Sequence, residues 1–283
     1  MIRVGDIVAR KSYDCDVLFR VVSISSGDQP QAQLKGVNKR LSATAELTDL
    51  VVVTLGRVQE EAKSSSDNLK RKIAALCGKK ALNVEKSLRL RNLKYQYQCC
   101  YGTVVHLDGD EDYCEQSQIF YDNLGIRAAC TYVPESEQQI VVSGILQSYH
   151  PDVLVLTGHD GKTKAQSDGS DGSSYHASLF FSQAVKKARK IRSYKDDLSV
   201  IAGACQSNYE LLMASGANFA SSPGRVLIDL YDPCIVAAQL ALLPIREYLD
   251  PGVAVQATSM KHLGIGGLES QGKTRMSSRY GEG

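Results

Sequence analysis

Val153-Leu154-Val155-Leu156-Thr157-Gly158-His159-Asp160-Gly161 and Leu198-Ser199-Val200-Ile201-Ala202-Gly203-Ala204-Cys205-Gln206-Ser207 decide how this chain is read, with Cys205 standing 46 positions after His159. Each opens on a short apolar run closed by glycine, the texture of a strand covered on both faces of a parallel sheet. Each then delivers a reactive side chain where the strand ends. In open α/β sheets, functional groups gather just beyond the carboxyl ends of the strands.

Working outward, the same texture recurs. Thr103–Leu107 and Ile126–Val133 read as further strands, as does a stretch near Asn218–Ala220, and helical stretches are expected over about 112–124, 135–149, 175–191 and 207–215. Strands alternating with helices predict an α/β fold, a mostly parallel sheet with helices on both faces. Upstream, Asp6–Arg10, Val17–Ile24, Gln31–Lys35 and Leu50–Thr54 are β-branched runs bounded by Gly, Asp and Pro, which predicts a small SH3-like β-barrel. The expected organisation is an SH3-like module over 1–55, a basic helical or flexible connector over 56–100 with Ser64–Asp67 as a possible N-cap, and an α/β domain over 101–283.

Composition narrows the function classes. Of 283 residues, 43% are hydrophobic and 23% charged, an ordinary globular balance that excludes disorder for most of the chain. No apolar run reaches the ~20 residues needed to span a bilayer, so no membrane partner is expected. The first residues, Met1-Ile2-Arg3-Val4-Gly5-Asp6, lack the pattern of a secretory signal, so synthesis in the cytoplasm is expected. A net charge of +2 gives no global field for nucleic acid. Charge is uneven locally, however: residues 56–100 hold eleven basic residues against four acids, and residues 101–150 hold eight acids against Arg127 alone. The connector reads mainly as a solvated linker, with a protease-sensitive hinge and nucleic-acid contact the lesser readings. None of the eight cysteines forms a CxxC pair or stands at zinc-finger spacing from histidine, so reduced thiols and no metal are expected.

The chemistry follows from the two strand ends. A thiol between a strand and the next helix is expected to feel the positive end of the helix dipole, which lowers its pKa and favours thiolate. An imidazole at a neighbouring strand end can take the proton and later return it to a leaving amine. Cys205 and His159 thus form a candidate hydrolytic dyad, and nearby glycines leave main-chain N–H groups free for an oxyanion, assigned to Gly161 and Cys205. No cofactor is required. The remaining histidines read more plainly. His106 is expected to pack or hydrogen-bond in the core, His150 to complement a helix end, and His176 to be the one rival base, while His262 has no evident partner. Ser221 and Ser222 either line a substrate groove or form a turn. Asp168–Ser174 reads as a mobile active-site loop, lacking the run to Glu of an EF-hand.

A strand ending in His-Gly followed by one ending in Ala-Cys resembles the caspase, gingipain and clostripain superfamily of cysteine endopeptidases, although this chain has Gly158-His159-Asp160-Gly161 and Gly203-Ala204-Cys205-Gln206-Ser207. The chain more closely resembles the YabG family of sporulation-specific proteases of endospore-forming bacteria over nearly its whole length. The stretches concerned are Gly5–Tyr13, Val17–Arg20, Val105–Asp110, Leu156–Asp160, Ala202–Ser207, Gly216–Pro223 and Gly264–Gly267. The resemblance implies a caspase-like fold and a sporulation-associated endopeptidase that cuts spore coat or germination proteins beside Arg or Lys and ends in the spore coat. It carries the nucleophile onto Cys205 and the base onto His159.

Preference for Arg needs a buried carboxylate. The position two before the nucleophile, acidic in clostripain-like enzymes, is Gly203. Asp108 and Asp110 are therefore the first expected pocket residues, followed by Asp160 and Asp229. Self-cleavage is expected in the connector at Lys70-Arg71-Lys72 or Lys79-Lys80. The alternatives are a non-enzymatic spore protein that holds nucleic acid or coat proteins through the module and connector, and a small-molecule amidase on the same dyad.

Overall fold

Alternation of buried and exposed residues along Phe19–Ile24 and Gln31–Gly36 marks a sheet with one covered face. In the computed structural model, which describes residues 2–27, 29–89, 95–161 and 175–280, these are β2 and β3 of a five-stranded antiparallel sheet. With β1 (Ile7–Arg10), β4 (Ser42–Glu46) and β5 (Leu50–Val52) they run in the order β4-β3-β2-β1-β5. Val8, Phe19, Val21, Ala32, Leu34, Ala45 and Leu50 fill its core. The short turn Val37–Leu41 joins β3 to β4.

Helix α1 (Leu55–Arg89) follows at once. Ser64–Asp67 lie inside it and do not cap it, a correction to the expected break. The serines fall on the exposed or half-exposed side, and the apolar positions Leu69, Ile73 and Leu76 recur at helical spacing and pack against the second core. Much of the basic surplus is spent on the same contact. Lys72 Nζ lies 3.7 Å from Asp229 and 3.5 Å from Asp232, Lys79 Nζ donates to Gln239, and Lys80 Nζ donates to the Leu124 carbonyl. The two expected self-cleavage stretches therefore lie in helix rather than in extended chain.

Strand β6 (Tyr95–Cys100) leads into the α/β unit: β7 (Val104–Asp108), α2 (Glu111–Asn123), β8 (Ala128–Tyr132), α3 (Glu135–Tyr149), β9 (Val153–Thr157), α4 (Ser178–Ile191), β10 (Ser199–Ala202), α5 (Tyr209–Ala214), β11 (Phe219–Ser221) and α6 (Asp232–Leu242). Short elements close the chain, β12 (Tyr248–Leu249), α7 (Pro251–Ala254), α8 (Lys261–Gly264), β13 (Ile265–Gly267), β14 (Ser270–Gln271) and β15 (Arg275–Tyr280), with β15 antiparallel to β6.

The sheet order is β13-β11-β10-β9-β7-β8, parallel except for β13. Period two sorts the strand residues to its faces. Val104, Val153 and Val155 join α1, α2 and α6, whereas Val105, Leu107, Leu154 and Leu156 join α3, α4 and α5. All eleven residues of α6 are buried, and this helix was not foreseen. An all-round apolar helix has no amphipathic stripe to betray it. The chain passes from β7 to β8 on one side and then to β9 on the other, so the topological switch point lies between β7 and β9, the place where open α/β sheets bind ligands.

Candidate active site

Three neighbouring strands deliver three side chains to that edge. Asp108 ends β7 in register with Thr157 of β9, His159 follows two residues after Thr157, and Cys205 follows three residues after the end of β10. Glu135, at the start of α3, fixes the His159 backbone: its Oε1 accepts the His159 N–H at 2.8 Å. Gly109 and Gly158 leave room for its carboxylate in this position. A Cβ on either would come within 2.3 Å of its carboxylate. His159 stacks on Tyr113, ring centroids 4.9 Å apart, and its Nδ1 lies 3.9 Å from Asp110 Oδ2.

The cleft is filled by the chain itself. The turn between β3 and β4 runs antiparallel to residues 228–230, with Lys39 opposite Asp229. The Arg40 N–H donates to the Ile228 carbonyl (3.4 Å) and the Leu230 N–H to the Asn38 carbonyl (3.3 Å). The Arg40 carbonyl oxygen then accepts two N–H groups, from Cys205 at 3.0 Å and Asp160 at 3.2 Å. Beyond it, the Ser42 N–H donates to the Asp160 carbonyl at 2.9 Å. The Arg40 side chain is completely buried; Nη1 donates to Asp108 Oδ2 at 2.7 Å and Nε to the Leu230 carbonyl at 3.1 Å.

Burial governs the titration of these groups. It would raise Asp108, but the Arg40 guanidinium and then His106 hold the carboxyl well below the usual carboxylate range. Burial, with Lys35 adding to it, pushes His159 down to about 3. Burial pushes the Cys205 thiol up to about 12, the reverse of the thiolate expected from a helix dipole. The reason is twofold: α5 begins only at Tyr209, and Cys205 is fully enclosed. The Cys205 Sγ lies 3.1 Å from the Ile228 N and 3.5 Å from its carbonyl oxygen.

The other expected site residues stand as follows. The Gly161 N–H donates to Asp160 Oδ1, so at the Arg40 carbonyl the second donor is the Asp160 N–H, not Gly161. The Asp160 carboxylate is scaffold, accepting also from the Ala177 N–H, Ser178 Oγ and Ser207 Oγ, and burial raises its pKa despite them. Asp110 caps α2 by accepting the Tyr113 N–H and does not reach the Arg40 guanidinium by any described bond. Gly203 has φ +104°, and a Cβ there would meet Leu212 at 2.7 Å, which accounts for the missing acid two before Cys205. Ser222 turns its own loop, its N–H donating to the Gly264 carbonyl and its Oγ to the Val226 carbonyl; Ser221 is buried in β11. Asp229 pairs with Lys39 and Lys72.

Among the histidines, His106 lies in the core, with Nε2 2.7 Å from Thr157 Oγ1 and 3.4 Å from Asp108 Oδ2. Its Nδ1 lies 3.9 Å from Cys234 Sγ in α6, a thiol–imidazole contact enclosed beneath the Asp108 carboxylate. His150 is the C-cap of α3, His262 lies in α8, and the His176 N–H donates to the Gly161 carbonyl. The loop expected over Asp168–Ser174 lies outside the described residues. Arg40 and Glu135 were missed. The only trace of Arg40 in the sequence is a dibasic pair, Lys39-Arg40, in a polar turn.

Among the described residues, no group of three or more His, Cys, Asp or Glu could hold a metal ion, and no helix is long and apolar enough to cross a membrane. No solved structure matches the chain. The family model described as YabG peptidase U57 matches residues 3–278. The sporulation-specific protease YabG of Bacillus subtilis (strain 168) is 35% identical over 284 aligned positions, covering 98% of each chain. A peptidase family whose match runs from the N-terminal sheet through the strand ends bearing His159 and Cys205 takes in both the cleft and the turn that fills it, and the chain belongs to the YabG peptidase U57 family.

Proposed function

We propose that the protein is a cysteine endopeptidase that cleaves after arginine, with Cys205 as nucleophile, His159 as general base, the N–H groups of Cys205 and Asp160 as oxyanion donors and Asp108 as the carboxylate of the primary pocket. The observation that carries this reading is the way Arg40 lies in the cleft. Its guanidinium meets a buried carboxylate while its carbonyl oxygen accepts from the candidate nucleophile's own N–H and from the residue after the candidate base. A peptide carbonyl held by two fixed N–H groups is already where a tetrahedral oxyanion would gain most from them.

In the proposed reaction the Cys205 thiol passes its proton to His159 as sulfur bonds to the carbonyl carbon. The C–N bond breaks and the amine leaves with that proton; water then hydrolyses the thioester. A thiol pushed up to about 12 and an imidazole pushed down to about 3 describe a neutral pair in the filled cleft, so proton transfer accompanies attack. Arg is favoured over Lys because Nη1 and Nε reach two acceptors that lie apart, Asp108 and the Leu230 carbonyl, and a single ammonium does not span both. Since a relative is named a sporulation-specific protease, spore coat and germination proteins are the substrate class we assign, and the spore coat is the place of action.

Reporter amides with Arg, Lys, Ala or Asp before the scissile bond test the specificity. Turnover is expected to be fastest after Arg, slower after Lys and negligible after Ala and Asp; an Asp preference or indifference to the residue would overturn the assignment of Asp108.

A further inference from the structure

A bound substrate of such an enzyme would lie extended against residues 228–230, and the chain's own Asn38–Ser42 holds that position on both sides of the Arg40 carbonyl. The turn also reaches the candidate base. The Gly36 carbonyl stands 3.3 Å from His159 Nε2, and Tyr113 Oη clamps the turn, its one O–H shared between the Gly36 carbonyl at 2.7 Å and the Lys39 carbonyl at 3.0 Å. Lys35 Nζ anchors the entering strand by donating to the Gly109 carbonyl at 2.8 Å. Arg40 and Asp108 are both inaccessible to solvent, so no second arginine can enter while the turn is in place. Past Leu41 and Ser42 the surface opens into a cleft of about 750 Å³ that His176, Gln206 and Leu227 also line.

The geometry points to the N-terminal module as a tethered inhibitor of its own enzyme, in which Arg40 occupies the arginine pocket and the Gly36–Ser42 turn must leave before an outside protein can bind. The inference rests on the endopeptidase reading above and adds a regulation of that site. A peptide presented by covalent attachment competes at an effective concentration of ~1 mM or more, against which a free substrate of ordinary affinity is at a disadvantage. It also accounts for the enclosed dyad: the same turn that fills the pocket removes water from Cys205 and sets a carbonyl against His159. The module then serves the peptidase domain directly, and neither nucleic acid nor a coat protein is needed to explain its presence.

The test uses the full chain and an acyloxymethyl ketone built on a Lys-Arg peptide, which alkylates an arginine-directed thiol irreversibly. Its second-order rate with Cys205, followed by intact mass and peptide mapping, is expected to rise about 10-fold or more in Arg40→Ala and in Arg40→Met, which keeps the apolar stem. Equal rates in wild type and in folded variants would overturn the inhibitor. A measurement on wild type alone guards against variants that fail to fold. Once Cys205 is alkylated, amide hydrogen exchange of Leu41 and Ser42 is expected to accelerate at least ~10-fold, and unchanged protection there would overturn it equally. Absence of alkylation at Cys205 in every form would instead remove the endopeptidase reading and, with it, the inhibitor.

Discussion

Arg40 and Asp108, 68 residues apart in the chain, meet through a 2.7 Å contact from Nη1 to Oδ2 with both side chains completely buried. Burying two opposite charges is favourable only where geometry and further hydrogen bonds satisfy both. Here Thr157 Oγ1 donates to the same Asp108 oxygen, Asp108 Oδ1 accepts the Asp110 N–H, and the Leu230 carbonyl takes Arg40 Nε, while Arg40 Nη2 is left without a hydrogen-bond partner among the described residues. The Arg40 guanidinium also faces the Tyr113 ring at 5.1 Å. The Arg40 guanidinium is thus enclosed by two strands of the sheet, a helix and the segment preceding α6.

With Arg40→Ala emptying the proposed pocket, a further Asp108→Asn removes its countercharge while keeping its shape. Leaving a buried cation unpaired costs about 3–5 kcal/mol, so kcat/KM for an Arg reporter is expected to fall ~10²–10³-fold. The loss is expected mainly in KM, with an Ala reporter changed far less. A uniform loss on both reporters would mean that Asp108 supports the fold and does not select the substrate.

Stability is expected to depend on pH through His159. In the unfolded chain its imidazole takes a proton near the ordinary value of 6.5, whereas burial in the fold holds it down to about 3. Between these values the unfolded chain binds the extra proton, so this residue's contribution to stability is lost as pH falls from 6.5 towards 3. The limiting slope is about 1.4 kcal/mol per pH unit. Urea midpoints of His159→Gln are expected to fall less steeply than those of wild type between pH 6.5 and 4.5; parallel curves would mean that the imidazole is hydrated and ordinary.

Helix α1 is expected to behave as part of the folded body. Leu76 is 2% exposed and belongs to the core shared with α6. Leu76→Ala is therefore expected to destabilise by about 2–4 kcal/mol in chemical denaturation. A solvated connector would give a change within ~0.5 kcal/mol.

Some of this was legible in the sequence for physical reasons. Val153–Thr157 and Ser199–Ala202 are doubly covered strands and read as such from their near-continuous apolar character, and the interest of His159 and Cys205 beyond them followed from the geometry of open α/β sheets. What escaped reading depends on chain segments meeting from a distance. Arg40 lies in a polar turn whose residues give no sign that it enters a cleft across the molecule. The N–H that faces its carbonyl belongs to Asp160, not Gly161, and a backbone donor leaves no mark in residue type. The direction of the Cys205 shift was misread because a local argument from the next helix was set against burial, which is a property of the whole fold. Helix α6 was missed because it is apolar on every side, and Ser64–Asp67 read as a break because an exposed helical face tolerates the residues that begin helices elsewhere.

The central claim, that Cys205 and His159 carry the reaction, is tested most directly by turnover of the Arg reporter in wild type, Cys205→Ala, His159→Ala and Cys234→Ala. The account expects activity at the limit of detection in the first two variants and a loss of less than about 10-fold in Cys234→Ala, whose thiol sits beneath the pocket against His106. Turnover that survives Cys205→Ala but vanishes in Cys234→Ala would contradict it and move the reaction to the His106–Cys234 pair.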